Sequence, residues 1–490
     1  LRQFLLEGLL LSLCGGAAGI ALAKFGLEAM TAIISPGIPR IEQAHLDLRV
    51  LSFSFGLSLL TCLLFALVPA LHAFKPDLAA TLEQGNRTSR PAFGRQRARQ
   101  ALVVFQVSVA VMLIISAGLL IMSFWRLQRV DPGFKPDHVI SMSLTLPQSK
   151  YGDNARINGF YNQLIEQLSN LPGVQAAAIG YDHPLETNWT DAFSIEGRPA
   201  GQEPISASFN PVGFDYFHTV GTGIAAGRDF TRQDDQDHPG VTIINEAFAR
   251  RYFPSEGALG HRLRLSAPAR IWGNHKFDSF EIVGIARNVK SAGLKAETEP
   301  AYYVPATQAP LVDMLVLVRT QGDPLALIPS LRQAVWTIDP NQPIADIKTM
   351  NQIVSDHLGQ SRLNMILMAV FGGLALLLAA VGIYGLLSYM VTQRTPELGI
   401  RIALGAQVKD VLKLVLKQGM GLALLGESIG LVAAFGAVRL LRSLLFGVTP
   451  TDPLIFFAVF QLLALVAFIA CYLPARRATK VDPLVALRYE

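Results

Sequence analysis

Charge is scarce in this sequence. Of 490 residues only 16% are Asp, Glu, Lys or Arg, against roughly 25% in ordinary soluble domains. Hydrophobic residues make up 51% and the mean hydropathy is +0.36, a balance that places the chain among membrane proteins. Cysteine is scarcer still. Cys14, Cys62 and Cys471 all fall inside apolar runs, so the large polar segment has no disulfide, which fits a bacterial envelope protein without covalent staples. GxxxxGK[ST], HExxH and paired CxxC are all missing, which excludes a phosphate-cradling nucleotide loop and the common zinc spacings. "GTGIAAG" from Gly221 lacks the spacing of a dinucleotide loop and reads as a turn before a strand. "DDQDHPG" from Asp234 lacks the ligand spacing and closing Glu of a calcium loop and reads as a solvated turn. "NWT" at Asn188 is a glycosylation sequon by pattern alone. The expectation is a chain that is not an enzyme, with no catalytic, cofactor-binding or metal-binding residues.

Long apolar runs are what the sequence does have. A helix needs ~20 mainly apolar residues to cross a bilayer. Val50–Phe74, Ala101–Trp125, Asn364–Gln393 and Pro453–Ala475 meet this with no charged residue. Gly8–Ala23, bounded by Glu7 and Lys24, and Gln418–Val438, interrupted by Glu427, bring the expected spans to six. Basic residues cluster in alternate connections: Lys75, Arg87, Arg90, Arg95, Arg97 and Arg99; then Arg394, Arg401, Lys409, Lys413 and Lys417; then Arg476, Arg477, Lys480 and Arg488. The positive-inside rule makes that face cytoplasmic and puts residues 126–363 outside. Topology thus explains the net charge of +5, and nucleic acid drops out as a partner. The first residue, Leu1, lies almost at the start of an apolar helix, so the chain reads as an N-terminally truncated fragment with no signal peptide.

Two stretches repeat. "LRQFLLEGLLLSLCGGAAGIALA" from Leu1 lies without a gap over "LKLVLKQGMGLALLGESIGLVAA" from Leu412, pairing Gly8, Gly15 and Gly19 with Gly419, Gly426 and Gly430. "PALHAFKPD" from Pro69 likewise matches "PARRATKVD" from Pro474. Small residues along one helix face let helices approach closely in lipid, so these six glycines are the expected helix-packing positions. The chain then holds the tail of one membrane unit, residues 1–84, a basic linker at 85–100, and a whole second unit. That unit is a span at 101–125, an outer domain at 126–363, and a three-span domain at 364–490. The last includes a short segment at 394–411 and a cytoplasmic tail at 476–490.

The outer domain reads as α/β. "VISMSLTLP" alternates as a strand, "ARINGFYNQLIEQLSNLPGV" has helical apolar spacing, and "VQAAAIG" follows as a second strand. "MLVLVRT", "LALIPSLRQAVWTI" and "IADIKTM" repeat that order. Between them lies a β-rich middle. The predicted fold class is an α-helical membrane protein with a large extracytoplasmic α/β domain, a βαβ porter-like subdomain with an inserted β-rich lobe around residues 190–305.

"RTPELGIRIALGA" from Arg394 closely resembles the cytoplasmic loop of FtsX/MacB-type ABC transporter permeases. "GRDFTRQDD", "INEAFARRYFP", "LGHRLRL" and "FEIVGIARNVK" resemble the MacB-like periplasmic core domain, and "PARRATKVDPLVALRYE" the family's exit motif. The doubled arrangement resembles the duplicated permeases without a fused ATPase. The resemblance implies a bacterial inner-membrane permease whose loop docks on separate cytoplasmic ABC ATPase subunits, so that ATP is bound by the partner and not by this chain. Docking needs an apolar side and rim charges that fix register. Leu398, Ile400 and Leu404, with Ile402, supply the first; Arg394, Glu397 and Arg401 supply the second; Gly399, Gly405 and Ala406 complete the segment. The family pattern has two successive basic residues where this chain has Arg401 followed by Ile402, so one rim contact is absent or falls to Lys409. The plainer reading is an amphipathic helix in the headgroup layer.

Two function classes follow from the resemblance. One is export or efflux, with a periplasmic adaptor or outer-membrane channel as further partners. The other is mechanotransmission without transport, where the same motion activates a periplasmic enzyme or sensor partner. Glu427 stands apart as an intramembrane polar site, because a charge at that depth costs ~2.5–3.5 kcal/mol; the alternative is a carboxylate facing a wet interface. The topology is testable by substituted-cysteine labelling in a Cys-free background. Positions in 126–363 should react from outside in spheroplasts, and those at Arg95 and Gln407 only after permeabilisation; external labelling at Gln407 contradicts the six-span arrangement.

Overall fold

The computed structural model describes residues 2–33, 47–73, 91–197, 205–265, 277, 279–395, 397, 400, 401, 404 and 407–479. In chain order the helices are α1 (Arg2–Ile33), α2 (Leu48–Ala73), α3 (Pro91–Gln128), α4 (Asn154–Ser169) and α5 (Tyr216–Val220). They continue as α6 (Glu246–Tyr252), α7 (Ile328–Ile338), α8 (Met350–Gln393), α9 (Val408–Leu440) and α10 (Pro453–Ala478). The chain divides into a helical unit, Leu1–Arg126 with Gly359–Glu490, and a second unit, Leu127–Leu358.

Among the described residues, five helices are long and apolar enough to cross a membrane: Ser12–Met30, Arg97–Gln128, Met350–Gln393, Val408–Leu440 and Pro453–Arg477. Leu48–Leu60 of α2 adds a shorter apolar stretch. In lipid a helix satisfies its own backbone, so what must be arranged is side-chain packing. The core of α3, α8, α9 and α10 is built from a ladder on α3 (Val103, Val107, Val111, Ile115, Leu119) and a facing ladder on α10 (Ile455, Val459, Leu463, Ala467, Cys471, Ala475). Spacing of four residues keeps each ladder on one helix face. Asp452 caps α10, accepting from the Leu454 amide at 3.1 Å, with Pro453 in the first turn where its missing N–H costs nothing. Two helices start earlier than their apolar runs. The basic linker expected over 85–100 is already helical from Pro91, because Arg, Gln and Ala are good helix formers and Pro suits the first turn. Met350, which closes the "IADIKTM" strand stretch, opens α8.

Among its described residues the second unit has eleven strands: β1 (Val139–Thr145), β2 (Val174–Gly180), β3 (Thr190–Ile195), β4 (Ile205–Val212), β5 (Ile224–Gly227) and β6 (Val241–Asn245). The others are β7 (Arg262–Leu265), β8 (Ser279–Ala286), β9 (Ala301–Pro305), β10 (Asp313–Thr320) and β11 (Ile344–Thr349). Four of them form an antiparallel sheet in the order β11-β1-β10-β2. Each sequential pair, β1-α4-β2 and β10-α7-β11, therefore flanks a strand from the other, the split βαβ arrangement. Ile140, Met142 and Leu144 of β1 face α4 and α7, packing with Phe160, Tyr161, Leu164, Leu331 and Val335. Alternation sends Ser141 to the opposite face, where it is 1% exposed.

Between β2 and β10 the chain makes a closed ring of six strands. β3 pairs with β4 and β7, β7 with β8, β8 with β6, β6 with β9, and β9 with β4. Closure leaves no unpaired edge among these six. The interior is aromatic: Phe193 stacks on Phe248 at 4.9 Å, and Phe209 lies 5.1 Å from Trp189 and 5.2 Å from Tyr302. Outside the ring Asp234 is buried, not solvated as its sequence suggests. It accepts from both Arg228 guanidinium nitrogens at 2.7 and 2.8 Å and from the Thr231 amide and hydroxyl. Burial resists its ionised form, yet the Arg228 and Thr231 hydrogen bonds hold its carboxyl below the usual range.

Phe209 is fully enclosed. Phe209→Ala should destabilise the second unit by about 3–5 kcal/mol, read as faster limited proteolysis within 190–305, while cleavage of the helical unit is unchanged.

Candidate coupling segment and helix interface

α8 ends where apolar character ends. The Arg394 amide closes the last turn onto the Met390 and Val391 carbonyls, both at 3.1 Å. Its guanidinium reaches Gln418 Oε1 on α9 at 3.4 Å, so Arg394 spans the mouth of a small apolar slot lined by Leu387, Met390, Val391, Leu414 and Val415. Beyond it, Arg401 Nη2 donates to Glu397 Oε1 at 2.8 Å, a pair four residues apart. Glu preceding Arg at this spacing suits a helical turn and contributes about 0.3–0.5 kcal/mol when exposed. The Leu404 amide bonds the Ile400 carbonyl at 2.9 Å, which continues the turn. Ile400 is 48% and Leu404 82% exposed, so two apolar side chains are presented beside an ion pair. Gln407 then caps α9 reciprocally with Asp410 in a capping box. Leu398, Gly399, Gly405 and Ala406, and Ile402 with them, lie outside the described residues. Lys409 is exposed on the first turn of α9.

Two contacts on this side were not anticipated from sequence. The Arg99 guanidinium sits over the Tyr389 ring at 4.1 Å, and Arg477 Nη1 donates to Tyr384 Oη at 2.7 Å. Two of the basic residues that set the topology are thus tied to aromatic residues of α8. The available signal was two tyrosines near the end of an apolar run, where aromatic side chains favour the membrane interface.

The glycine positions divide sharply. A Cβ on Gly419 would meet Cys471 Sγ and Leu387 at 2.6 Å; one on Gly426 would meet Val107 at 2.8 Å; one on Gly430 would meet Val111 at 2.6 Å and the Ser108 carbonyl at 2.7 Å. Ser108 Oγ donates to the Val104 carbonyl at 2.8 Å and to the Gly426 carbonyl at 2.9 Å. These three glycines bring α9 into backbone contact with α3 and into close contact with α8 and α10. Gly15 and Gly19 are different: among the described residues nothing lies within 4 Å of where their Cβ would sit. α1 meets α2 through Ser12, whose hydroxyl donates to the Ser58 carbonyl at 2.7 Å, and at Gly16, where a Cβ would lie 3.3 Å from Ser58 Oγ. Gly8 lies in α1, where no side-chain environment is described.

Glu427 is 1% exposed on the buried stripe of α9, and neither carboxylate oxygen has a hydrogen-bond partner. Its repeat counterpart is Gly16. Among the described residues no group of three His, Cys, Asp or Glu side chains is arranged to hold a metal ion.

A bundle of membrane-spanning helices joined to a large mixed α/β unit defines the broad class, a polytopic membrane protein with an extramembrane domain. Comparison with known proteins sharpens it. Residues 101–334 match the MacB-like periplasmic core domain, and residues 369–483 match the FtsX-like permease C-terminal model. A macrolide export ATP-binding/permease protein MacB of Yersinia pestis is 26% identical over 343 residues, 66% of this chain and 47% of that protein. A protein of the same name from Escherichia coli is 26% identical over 349 residues, 67% of this chain and 51% of that protein. The chain thus spans about half the length of these relatives. The crystal structure of the periplasmic region of MacB from Actinobacillus actinomycetemcomitans aligns over 46% of this chain and 95% of its own, with 14% identity and a TM-score of 0.32. The chain belongs to the FtsX/MacB-type ABC transporter permeases. It is an inner-membrane protein with a periplasmic domain.

Gly430→Val should lower the thermal unfolding midpoint in detergent, because overpacking costs about 1–3 kcal/mol. Gly436→Ala, at a site with nothing within 4 Å, should leave the midpoint unchanged or slightly raised.

Proposed function

We propose that this chain is the permease of an ABC machine whose separate cytoplasmic ATPase seats on residues 394–411, and that the motion is used for export. The observation that carries the reading is the exposed pair Ile400 and Leu404 beside the Glu397–Arg401 ion pair, on the connection that the family match places within the permease region. An apolar anchor with a charged rim is what a register-specific protein contact requires. Support for export comes from the matched relatives, which are named macrolide export proteins, and from the large periplasmic domain.

Motion would travel along α8, a helix of 44 residues that starts in the second unit and ends at the coupling segment. At 1.5 Å per residue it is about 66 Å long, roughly twice the ~30 Å hydrocarbon core. ATP-driven approach of two such segments would move α8 at its cytoplasmic end and the periplasmic sheet at the other. Sequence duplication adds that α1 and α2 are the counterparts of α9 and α10, so that one chain carries elements of two permease units.

Arg401→Glu combined with Leu404→Asp should abolish co-purification of the ATPase and ATP-dependent export, while the proteolytic pattern of the periplasmic domain stays that of the parent. Retained co-purification and activity would favour a headgroup-bound helix instead. Lost co-purification without any effect on efflux, with the periplasmic response impaired, would favour signalling over transport.

A further inference from the structure

The loop between β2 and β3 is braced at its base by its own polar groups. Asp182, 1% exposed, accepts from the Asn188 amide at 3.0 Å and from Asn188 Nδ2 at 2.7 Å. The Glu186 amide closes a turn onto the His183 carbonyl at 3.0 Å. This presents His183 and Glu186 side by side, His183 Nδ1 lying 3.1 Å from Glu186 Oε2. The other ring nitrogen of His183 is 3.0 Å from Ser141 Oγ, on the β1 face away from α4 and α7. Ser141, His183 and Glu186 thus form a chain of hydrogen bonds in the order seen in acyl-transfer triads. Ser141, however, is almost fully buried in a central strand and has no approach for a substrate. Its role is to fix the His183 ring.

The open end of this chain is Glu186 Oε1, which faces His357 Nε2 at 3.9 Å. His357 lies in the second turn of α8, and its Nδ1 is 2.9 Å from the Ile353 carbonyl. A carbonyl oxygen only accepts, so Nδ1 carries the proton, and in the neutral ring Nε2 presents a lone pair to the carboxylate. No hydrogen bond forms in that state. A second proton on the ring turns Nε2 into a charged donor, and charge-assisted N–H···O bonds close to about 2.7–2.9 Å.

We propose that Glu186 and His357 form a proton-operated latch, in which protonation of His357 ties the 181–189 loop to the periplasmic end of α8. Glu186 is ionised over the relevant range, because its bond to His183 holds the carboxyl below the usual value against the opposing effect of burial, with His357 and Lys348 helping. Lys348 on β11 is itself engaged by Asp356 of α8 at 3.1 Å, so its charge is partly neutralised where it faces the site. Glu299 lines the same open cavity of about 470 Å³ as Glu186 and His357, adding negative potential and no competing cation. Ser291, on the same wall, contributes no charge. The sign is fixed by the chemistry: proton uptake accompanies closure, so the latch is shut in acid and open in base.

The consequence reaches beyond the coupling segment. The periplasm follows external pH, and α8 is the element on which the loop would act. Its test does not depend on ATPase docking or on transport. Hydrogen–deuterium exchange on the full chain in lipid nanodiscs, at about pH 5.5 and about pH 8 where histidine changes charge, is corrected for the intrinsic pH dependence of exchange. The amides of 182–189 should then be roughly two- to fivefold better protected at the acid value, the range for one partly exposed ion pair. His357→Gln should remove that pH difference, and His357→Lys, permanently cationic, should keep the loop protected at both values. Glu186→Gln should remove the difference with His357 intact. A parent protein with no pH difference, or a difference that survives in His357→Gln, would overturn the latch; survival there would assign the response to His183 or another group.

Discussion

The helical unit depends on how closely two helices can come together where there is no water to drive them. Lipid tails are as apolar as Leu or Val, so burial of such side chains contributes little to helix association, and close packing with hydrogen bonds must supply the rest. α9 meets α3 through Gly426 and Gly430, and the Ser108 hydroxyl crosses the gap to the Gly426 carbonyl. With a Cβ at either position the hydrogen bond and the ladder of valines on α3 could not both persist. Gly419 extends the same logic to α8 and α10 through Leu387 and Cys471. The permease fold of this chain is therefore specified by what three residues leave out.

Polar economy governs the second unit as well. The antiparallel sheet buries one face under α4 and α7 and uses the other, around Ser141, for a hydrogen-bonded cluster. The six-stranded ring avoids exposed edges by closing through the parallel pair β4–β9, and its interior needs no charges because aromatic side chains fill it. Asp234 shows the same principle locally: a carboxylate buried against Arg228 is acceptable because its lone pairs are met from several directions.

What the sequence revealed was local or compositional. The runs around Ala101–Trp125 and Pro453–Ala475 are legible because no charge interrupts them, and "VISMSLT" is legible as β1 because its polar and apolar residues alternate. Helix α4 follows from Ile157, Phe160, Tyr161, Leu164 and Leu168 at helical spacing. Pairings between distant residues left no such trace. Ser208 and Ala301 become partners in a parallel ladder across the ring, and no periodicity in either strand names the other. His183 and His357 converge on Glu186 from a loop and a helix whose separation in sequence hides their meeting. The glycine repeat illustrates the opposite limit. It was visible as a pattern, but Gly15 and Gly430 sit in unlike surroundings, because a pattern records which residues are small and not which neighbour they meet.

The length of α8 has a geometric meaning of its own. With no break between Met350 and Gln393, the helix would serve the motion proposed above as a lever rather than a cable, carrying displacement by tilting about a fulcrum. A tilt of about 5° about one end moves the other by roughly 6 Å, since the lever is about 66 Å long. Motions too small to disturb packing near the pivot would thus become shifts larger than the spacing between neighbouring strands, ~4.8 Å. Where the pivot falls along the helix sets the gain. Near the cytoplasmic end a small input would be amplified outward, and near the periplasmic end the same input would be converted into force.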